Sequence, residues 1–318
     1  MRAAGGPAEP KSVTIVASDG DLHALAVQRE VDLLGYPCVI ADPRDTAQVL
    51  AFDLDSGDGP SMPTAGPVAD AATSVWWRRP RKAVAADHVR NREFRRFISA
   101  EWDAAFYGYL RAVALQIVND PAAEDRAGLK VVQLAAARQV GLTIPRTLVT
   151  NDPSRAADFI AANARDGRRT IFKPLTPPSH QLGETRVIDT VEGRQDALRQ
   201  APVILQECVE RGRDLRITIV DGDMFAATVE SDTDRLVDWR ADCNVGYART
   251  TVDPRLARRL AELMGVLGLR TGSVDLRVDE DGTPHFFEVN PSGQFLFLDL
   301  ELDYPIAASL ARALLTLR

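Results

Sequence analysis

Lysine is scarce in this 318-residue chain: Lys11, Lys82, Lys130 and Lys173 are the four, and the other thirty-four of its 38 cations are arginines. A site that needs a compact ammonium rather than a planar fork therefore has few residues to draw on. Cysteine is scarcer still. Cys38, Cys208 and Cys243 lie far apart with no CxxC pair, which indicates neither a disulfide framework nor a thiolate zinc site. The four histidines, His23, His88, His180 and His285, form no HExxH, so the common zinc-hydrolase signature is missing. No apolar run approaches the roughly 18 residues of a membrane span, and residues 1–10 lack the apolar core of a signal peptide. A cytoplasmic protein that does not enter a membrane is expected. A net charge of −7, with the cations scattered, argues against nucleic acid as a partner.

What is present is ample apolar residue, 45% of the chain, and a length that suits about two domains at roughly 150 residues each. Residues 13–18, 22–34 and 37–41 read as strand, helix and strand, the start of an open α/β domain. Residues 55–67, rich in Gly, Pro, Ser and Asp, read as a surface loop, and residues 75–77 as a further strand. Apolar residues from Phe94 to Val113 recur every three or four positions, as in an amphipathic helix. Asn119-Asp120-Pro121 breaks the pattern and marks a domain boundary. Beyond it, helices are expected at 129–140, from Pro153, at 254–267 and at 304–315. Strands are expected at 147–149, 170–174, 185–189, 203–207, 215–220, 224–230, 272–278 and 284–289.

The chemistry concentrates in the last two of these strands. Asp281-Gly282 is a turn signal between two alternating runs, so they should pair as an antiparallel hairpin in which facing positions sum to about 563. Asp275 then faces Glu288, with Asn290 on the face of Glu288 and with Ser273 and Arg277 on the face of Asp275. Opposed like charges repel, so something positive belongs between them. Two carboxylates and an amide oxygen, with no sulfur or imidazole, suit Mg²⁺. Upstream, Lys173 sits in an apolar strand where an unpaired ammonium would be costly, so an anion is its natural partner. Lys130 opens a helix. Two lysines upstream of such a carboxylate set suit a nucleoside triphosphate. The apolar run from Val203 ends in the polar segment 206–210, which can offer backbone groups to a base. Asp214 and Arg216 share a strand face and point to one cavity.

In this order the pieces resemble the ATP-grasp fold over residues 123–318. The resemblance implies an α/β (α+β) architecture with an N-terminal open α/β pre-ATP-grasp domain at 1–120, a central lobe at 121–203 and a C-terminal lobe at 204–318 carrying the metal. It implies ATP and Mg²⁺ as cofactors, Lys130 and Lys173 on phosphate, Gln206, Glu207, Val209 and Glu210 at the adenine hinge, Asp214 on ribose, and Asp275, Glu288 and Asn290 as Mg²⁺ ligands. A narrower similarity rests on residues 75–80 (VWWRRP), 148–153 (LVTNDP), 173–175 (KPL), 238–240 (DWR) and 287–295 (FEVNPSGQF). Together these are similar to ATP-grasp maturases of ribosomal peptides, the graspetide (microviridin-type) macrocyclases.

That likeness implies a ligase that phosphorylates Asp or Glu side chains of a precursor peptide, leader plus core. It then links them to Thr or Ser hydroxyls or to Lys amines, releasing ADP and phosphate. It also implies Arg216 and Arg240 on the acceptor carboxylate or acyl phosphate, Arg277 beside the metal, and Trp239, His180, Arg78 and Arg79 near the substrate. The glycine-rich phosphate loop common in ATP-grasp proteins is poorly represented, since residues 176–183 hold a single Gly. An ATP-grasp ligase acting on small or polymeric amino-acid substrates is the alternative, and a homodimer is among the assemblies the sequence leaves open.

Overall fold

The computed structural model describes residues 9–44, 73–176, 185–231 and 245–317, arranged in three sheets. The first sheet is parallel, in the order β2-β1-β3-β4: β1 (Ser12–Val16), β2 (Cys38–Ala41), β3 (Thr73–Trp77) and β4 (Gln116–Val118). Its faces are covered by helices, as buried parallel strands require. Val13, Ile15 and Trp76 pack on α1 (Leu22–Leu33) and on the terminal helix, while Val16 and Val75 pack on Phe106, Tyr109, Leu110 and Val113 of α2 (Arg92–Val113). Asp21 and Asn91 accept the first amide N–H groups of α1 and α2, as side-chain caps do. Residues 55–67 lie outside the described residues.

After α3 (Pro121–Gly128) and α4 (Lys130–Gln139), a small antiparallel sheet runs in the order β5-β8-β6-β7: β5 (Thr147–Thr150), β6 (Thr170–Lys173), β7 (Arg186–Val187) and β8 (Val203–Glu207). The helices α5 (Pro153–Arg165) and α6 (Gln195–Gln200) accompany it. β8 belongs whole to this sheet, so the division expected at residue 203 runs through a strand. Asp152 caps α5 with Pro153 at its first turn. Cys208 is buried at the end of β8, and the thiols of Cys38 and Cys208 are both free.

The third sheet is antiparallel, in the order β11-β10-β9-β12-β13: β9 (Arg213–Val220), β10 (Asp223–Ser231), β11 (Val245–Thr250), β12 (Thr271–Val278) and β13 (Pro284–Asn290). One face is apolar. Leu215, Ile217, Val274, Leu276, Phe286 and Val289 bury against α3, α4 and α7 (Pro254–Leu267), whose Leu256, Leu260, Leu263 and Leu267 recur at helical spacing. The other face is polar for most of its length. It closes at one end where Val220 and Ala227 meet α8 (Leu296–Leu302) and α9 (Ile306–Leu315).

The elements expected from sequence are present, with β7 reduced to two residues. Five were not anticipated: α3, α6, α8, β4 and β11. The first three are short, at eight, six and seven residues, where helical periodicity has little room to show. No described helix is long and apolar enough to cross a membrane.

Candidate functional site

The polar face of the third sheet is a ladder of charged rungs. Asp275 faces Glu288 and Ser273 faces Asn290 across β12 and β13, the expected sum of 563. On the other side of β12, Asp275 faces Arg216 and Arg277 faces Asp214. Both acid–base pairs close. Arg216 Nη1 donates to the two oxygens of Asp275 at 2.7 and 2.9 Å. Arg277 donates to the two oxygens of Asp214 at 2.8 and 2.6 Å, and to the Val209 carbonyl at 2.6 Å. The Arg277–Asp214 contact is two-pronged, with Nε and Nη2 each on one oxygen, and so fixes direction as well as charge. One rung further, Thr218 and Ser273 share a hydrogen bond of 3.1 Å.

The cation expected between the opposed carboxylates is supplied by two side chains of the chain itself. Arg216 takes Asp275, and Lys130, the first residue of α4, pairs with Glu288. Asn290 Nδ2 spans the pair, 3.0 Å from Glu288 Oε1 and 3.3 Å from Asp275 Oδ2. Two carboxylates and the Asn290 carboxamide, its nitrogen toward them, thus converge at one end of the hairpin, and a half-turn of the amide would present its oxygen instead. A hard divalent cation fits this set, because every donor is oxygen and a small number of protein ligands leaves room for water and phosphate.

α4 reaches this point because Gln133 clips it to the sheet edge. The Gln133 carboxamide donates to Val289 O at 2.8 Å and accepts from Val289 N at 3.1 Å, satisfying the outward backbone groups of an edge strand. Lys130 lies three positions before Gln133, on the same side of the helix.

The hinge candidates lie where β8 leaves its sheet. The amides of Glu207 and Cys208 donate to Arg146 O and Arg169 O, both at 2.9 Å. Gln206 is buried and donates to Thr147 Oγ1 at 2.8 Å. Glu207 pairs with Arg168, and Glu210 with Arg169. Lys173 ends β6, half-buried. Trp239, Arg240 and His180 lie outside the described residues, as do residues 177–183 of the expected phosphate-loop segment.

Arg78 is 2% exposed and joins the first sheet to the loop after β13, donating to Ser292 O at 2.5 Å and Gly293 O at 3.1 Å. Burial pulls its pKa down to about 10, against the opposing charge of Asp21. Arg79 follows with a φ of 44° and is lowered by burial as well. Burial also tends to raise Asp21, yet the hydrogen bonds of His23 and Ala24 and the charge of Arg78 hold it well below the usual carboxylate range.

Three residues around this loop escaped sequence reading: Asn119, Glu124 and His23. Asn119 Nδ2 donates to Thr271 O, Glu124 Oε1 and Pro291 O, and its Oδ1 accepts from the amides of Arg270 and Thr271. Its sequence signal, Asn-Asp-Pro, read only as a chain break. Glu124 is pushed up to about 7 by burial, which outweighs its hydrogen bonds with Asn119 and Ser292 and the charges of Arg78 and Arg79.

A carboxyl raised in the folded state weakens the fold as pH rises from its unfolded value near 4.5 to about 7, here by roughly 3 kcal/mol. Glu124→Gln is expected to remove that part of the slope. Denaturant melts of both proteins at pH 5 and pH 8 check it, and equal pH dependence in the two would refute the assignment.

The strand order, the hairpin and the two-lobed arrangement of sheets are those of the ATP-grasp fold. Within that class, the chain is similar to ligases and macrocyclases associated with ribosomally made peptides. A Chryseobacterium gregarium RiPP-associated ATP-grasp ligase, solved with ADP and a leader and core peptide, matches at a TM-score of 0.84 and 22% identity over 96% of each chain. The macrocyclase MdnC of Microcystis aeruginosa, bound to its precursor peptide MdnA, matches at 0.81 and 25% identity over 95% of this chain and 98% of that one. The ATP-grasp ligase PsnB, complexed with a phosphomimetic variant of a minimal precursor, Mg and ADP, matches at 0.79 and 22% over 96% and 98%. No protein-family model and no curated protein matches the sequence.

Proposed function

We propose that this chain is an ATP- and Mg²⁺-dependent ligase that cross-links side chains within a ribosomal precursor peptide. It transfers the γ-phosphoryl group of ATP to an Asp or Glu side chain of the core, releasing ADP. A Thr or Ser hydroxyl or a Lys amine then attacks the acyl phosphate and displaces inorganic phosphate, leaving an ester or an amide. The observation that carries this reading is the facing pair Asp275 and Glu288 with Asn290, on the sheet of an ATP-grasp fold shared over nearly the whole chain with peptide-bound ligases.

In this reading Asp275, Glu288 and Asn290 hold Mg²⁺, whose charge offsets that developing on the transferred phosphoryl group. Lys130 and Lys173 bind phosphate. Gln206, Glu207, Val209 and Glu210 bound the adenine, and Asp214, oriented by Arg277, takes the ribose hydroxyls. Arg277 thereby serves the nucleotide side of the site, through Asp214 and the Val209 carbonyl. Arg216 and Arg240 hold the acceptor carboxylate. Among the described residues Arg216 Nε is a buried donor with no hydrogen-bonding partner, which an anion beside the carboxylates would satisfy. Trp239, His180, Arg78 and Arg79 complete the substrate side, Arg78 through the loop it holds. The three-part division at residues 120 and 203 belongs to the same reading, with the second limit moved past β8 to the hinge.

The test is to incubate the protein with a candidate precursor, ATP and Mg²⁺. The expected product is lighter than the precursor by one water per linkage, about 18 Da, with one ADP formed for each. Chelating the metal should stop both changes. Unchanged peptide mass with no ADP would refute the function.

A further inference from the structure

Five consecutive residues after the metal-binding end of β13 are each held by a side chain from elsewhere in the molecule. Pro291 O accepts from Asn119 at 3.3 Å, Ser292 O and Gly293 O accept from Arg78, Gln294 O accepts from Arg216 at 3.0 Å, and Phe295 N donates to His23 Nε2 at 3.1 Å. The Ser292 hydroxyl donates to both oxygens of Glu124, at 3.0 and 3.1 Å. All of these except the last are made to the loop's backbone. Among the described residues, the Ser292–Glu124 contact is the hydrogen bond made by the loop's own side chain.

The loop opens with a turn that begins at Asn290, closed by Gly293 N donating to Asn290 O at 3.0 Å. Ser292 is the third residue of that turn. A group that fixes Ser292 therefore fixes the turn, and with it the direction in which Asn290 leaves the strand. Two residues further on, the same loop offers Gln294 O to Arg216, whose other nitrogen holds Asp275. The anchoring carboxyl is itself tied down, since Asn119 Nδ2 donates to Glu124 Oε1 at 3.1 Å and to Thr271 O, on β12, at 2.9 Å.

From this geometry we propose that Glu124 is a positioning residue for the metal site: acting through Ser292, it sets the orientation of Asn290 and the seat of Arg216 without touching metal or substrate. The proposal rests on the reading of Asp275, Glu288 and Asn290 as metal ligands. Partners that orient a metal ligand typically matter by about 10–100-fold in metal affinity or activity, and the effect expected here is of that size. It should appear as a demand for more metal. The residues assigned to adenine and ribose lie on β8, at the start of β9 and in the segment between them, and no hydrogen bond joins them to Ser292 or Glu124 among the described residues.

Mg²⁺-dependent binding of ADP to the full chain measures this, by calorimetry across a Mg²⁺ titration, with thermal melts alongside. For Glu124→Ala the Mg²⁺ concentration at half-saturation is expected to rise about tenfold or more. Glu124→Gln, whose amide oxygen still accepts from Ser292, should return most of the loss. Ser292→Ala should show the same defect, and the double variant should be no worse than either single, as residues acting through one contact behave. If Glu124→Ala does not fold, Ser292→Ala carries the test, because it removes the same bond by deleting one partly buried hydroxyl. An unchanged Mg²⁺ requirement in Ser292→Ala, or additive losses in the double variant, would overturn the proposal while leaving the ligase reading intact. A parent protein that binds ADP with no response to Mg²⁺ would instead overturn the metal-site reading.

Discussion

Glu288→Gln is expected to reduce ATP-dependent turnover by at least about 100-fold while leaving the fold intact. The substitution keeps the shape of the side chain and removes its charge. It acts at a position where Lys130, Asn290 and the facing Asp275 converge. A neutral amide binds a hard cation more weakly than a carboxylate and leaves the Lys130 ammonium without its counter-charge. The fold should survive, because β13 is held by its ladder to β12 and by the Gln133 clip on Val289, neither of which involves the Glu288 side chain. Initial rates of ADP release at saturating Mg²⁺, with a precursor present, check this. Glu262→Gln, on an exposed part of α7, is the matched control and should leave the rate unchanged. A near-normal rate in Glu288→Gln would remove it from the ligand set.

Gly293→Ala should have the second large effect, and by a different route. A Cβ at this position would lie 2.3 Å from Ser273 Oγ and 2.5 Å from Ser273 Cβ, with Arg216 Nη2 at 3.2 Å. Ser273 is 1% exposed and its hydroxyl is shared with Thr218, so it has no room to turn aside. The loop must move instead, and with it the carbonyls that Arg78 and Arg216 hold. Forcing a methyl into packed structure usually costs about 1–3 kcal/mol. Here a displaced Arg216 would add a loss of turnover. Removing the colliding atoms with Ser273→Gly in the same chain should restore much of the stability, as read by chemical denaturation of the single and double variants. Wild-type stability in Gly293→Ala alone would contradict the close approach of loop and strand.

The parts of this site that could be read from sequence are those set by local rules. Alternation and a turn signal are enough to place Asp275 opposite Glu288, and the cap-and-proline signals at Asp152-Pro153 and Asp253-Pro254 are enough to start two helices. What escaped was joined by tertiary contact alone. Nothing about Glu124 in a helix of eight residues announces that it will meet a serine 168 positions later. Gln133 looked like one more helix residue until Val289 lay beside it. Arg277 is expected beside the metal and Arg78 near the substrate, but their partners, Asp214 and a loop carbonyl, are ones that only the folded chain brings near.

One detail of the hairpin separates two jobs that a regular ladder would bind together. Beyond Asp275 the pairing steps from a sum of 563 to 562, because Phe287 is an extra residue on β13, and Asp279 and Thr283 close the tip in that second phase. The adjacent aromatics Phe286-Phe287 break the alternation and are its trace in the sequence. A bulge of this kind works as a phase shifter. The tip, with Gly282 at a φ of 82°, obeys the demands of its turn, while the end that carries Glu288 and Asn290 keeps its own register against Asp275 and Ser273. Shortening or lengthening the tip by a residue pair leaves Glu288 and Asn290 facing as they do. Deleting Phe287 would close the bulge into one regular ladder with Glu288 still opposite Asp275, whereas a regular ladder that kept Phe287 would set it opposite Asp275 and turn Glu288 and Asn290 to the apolar side.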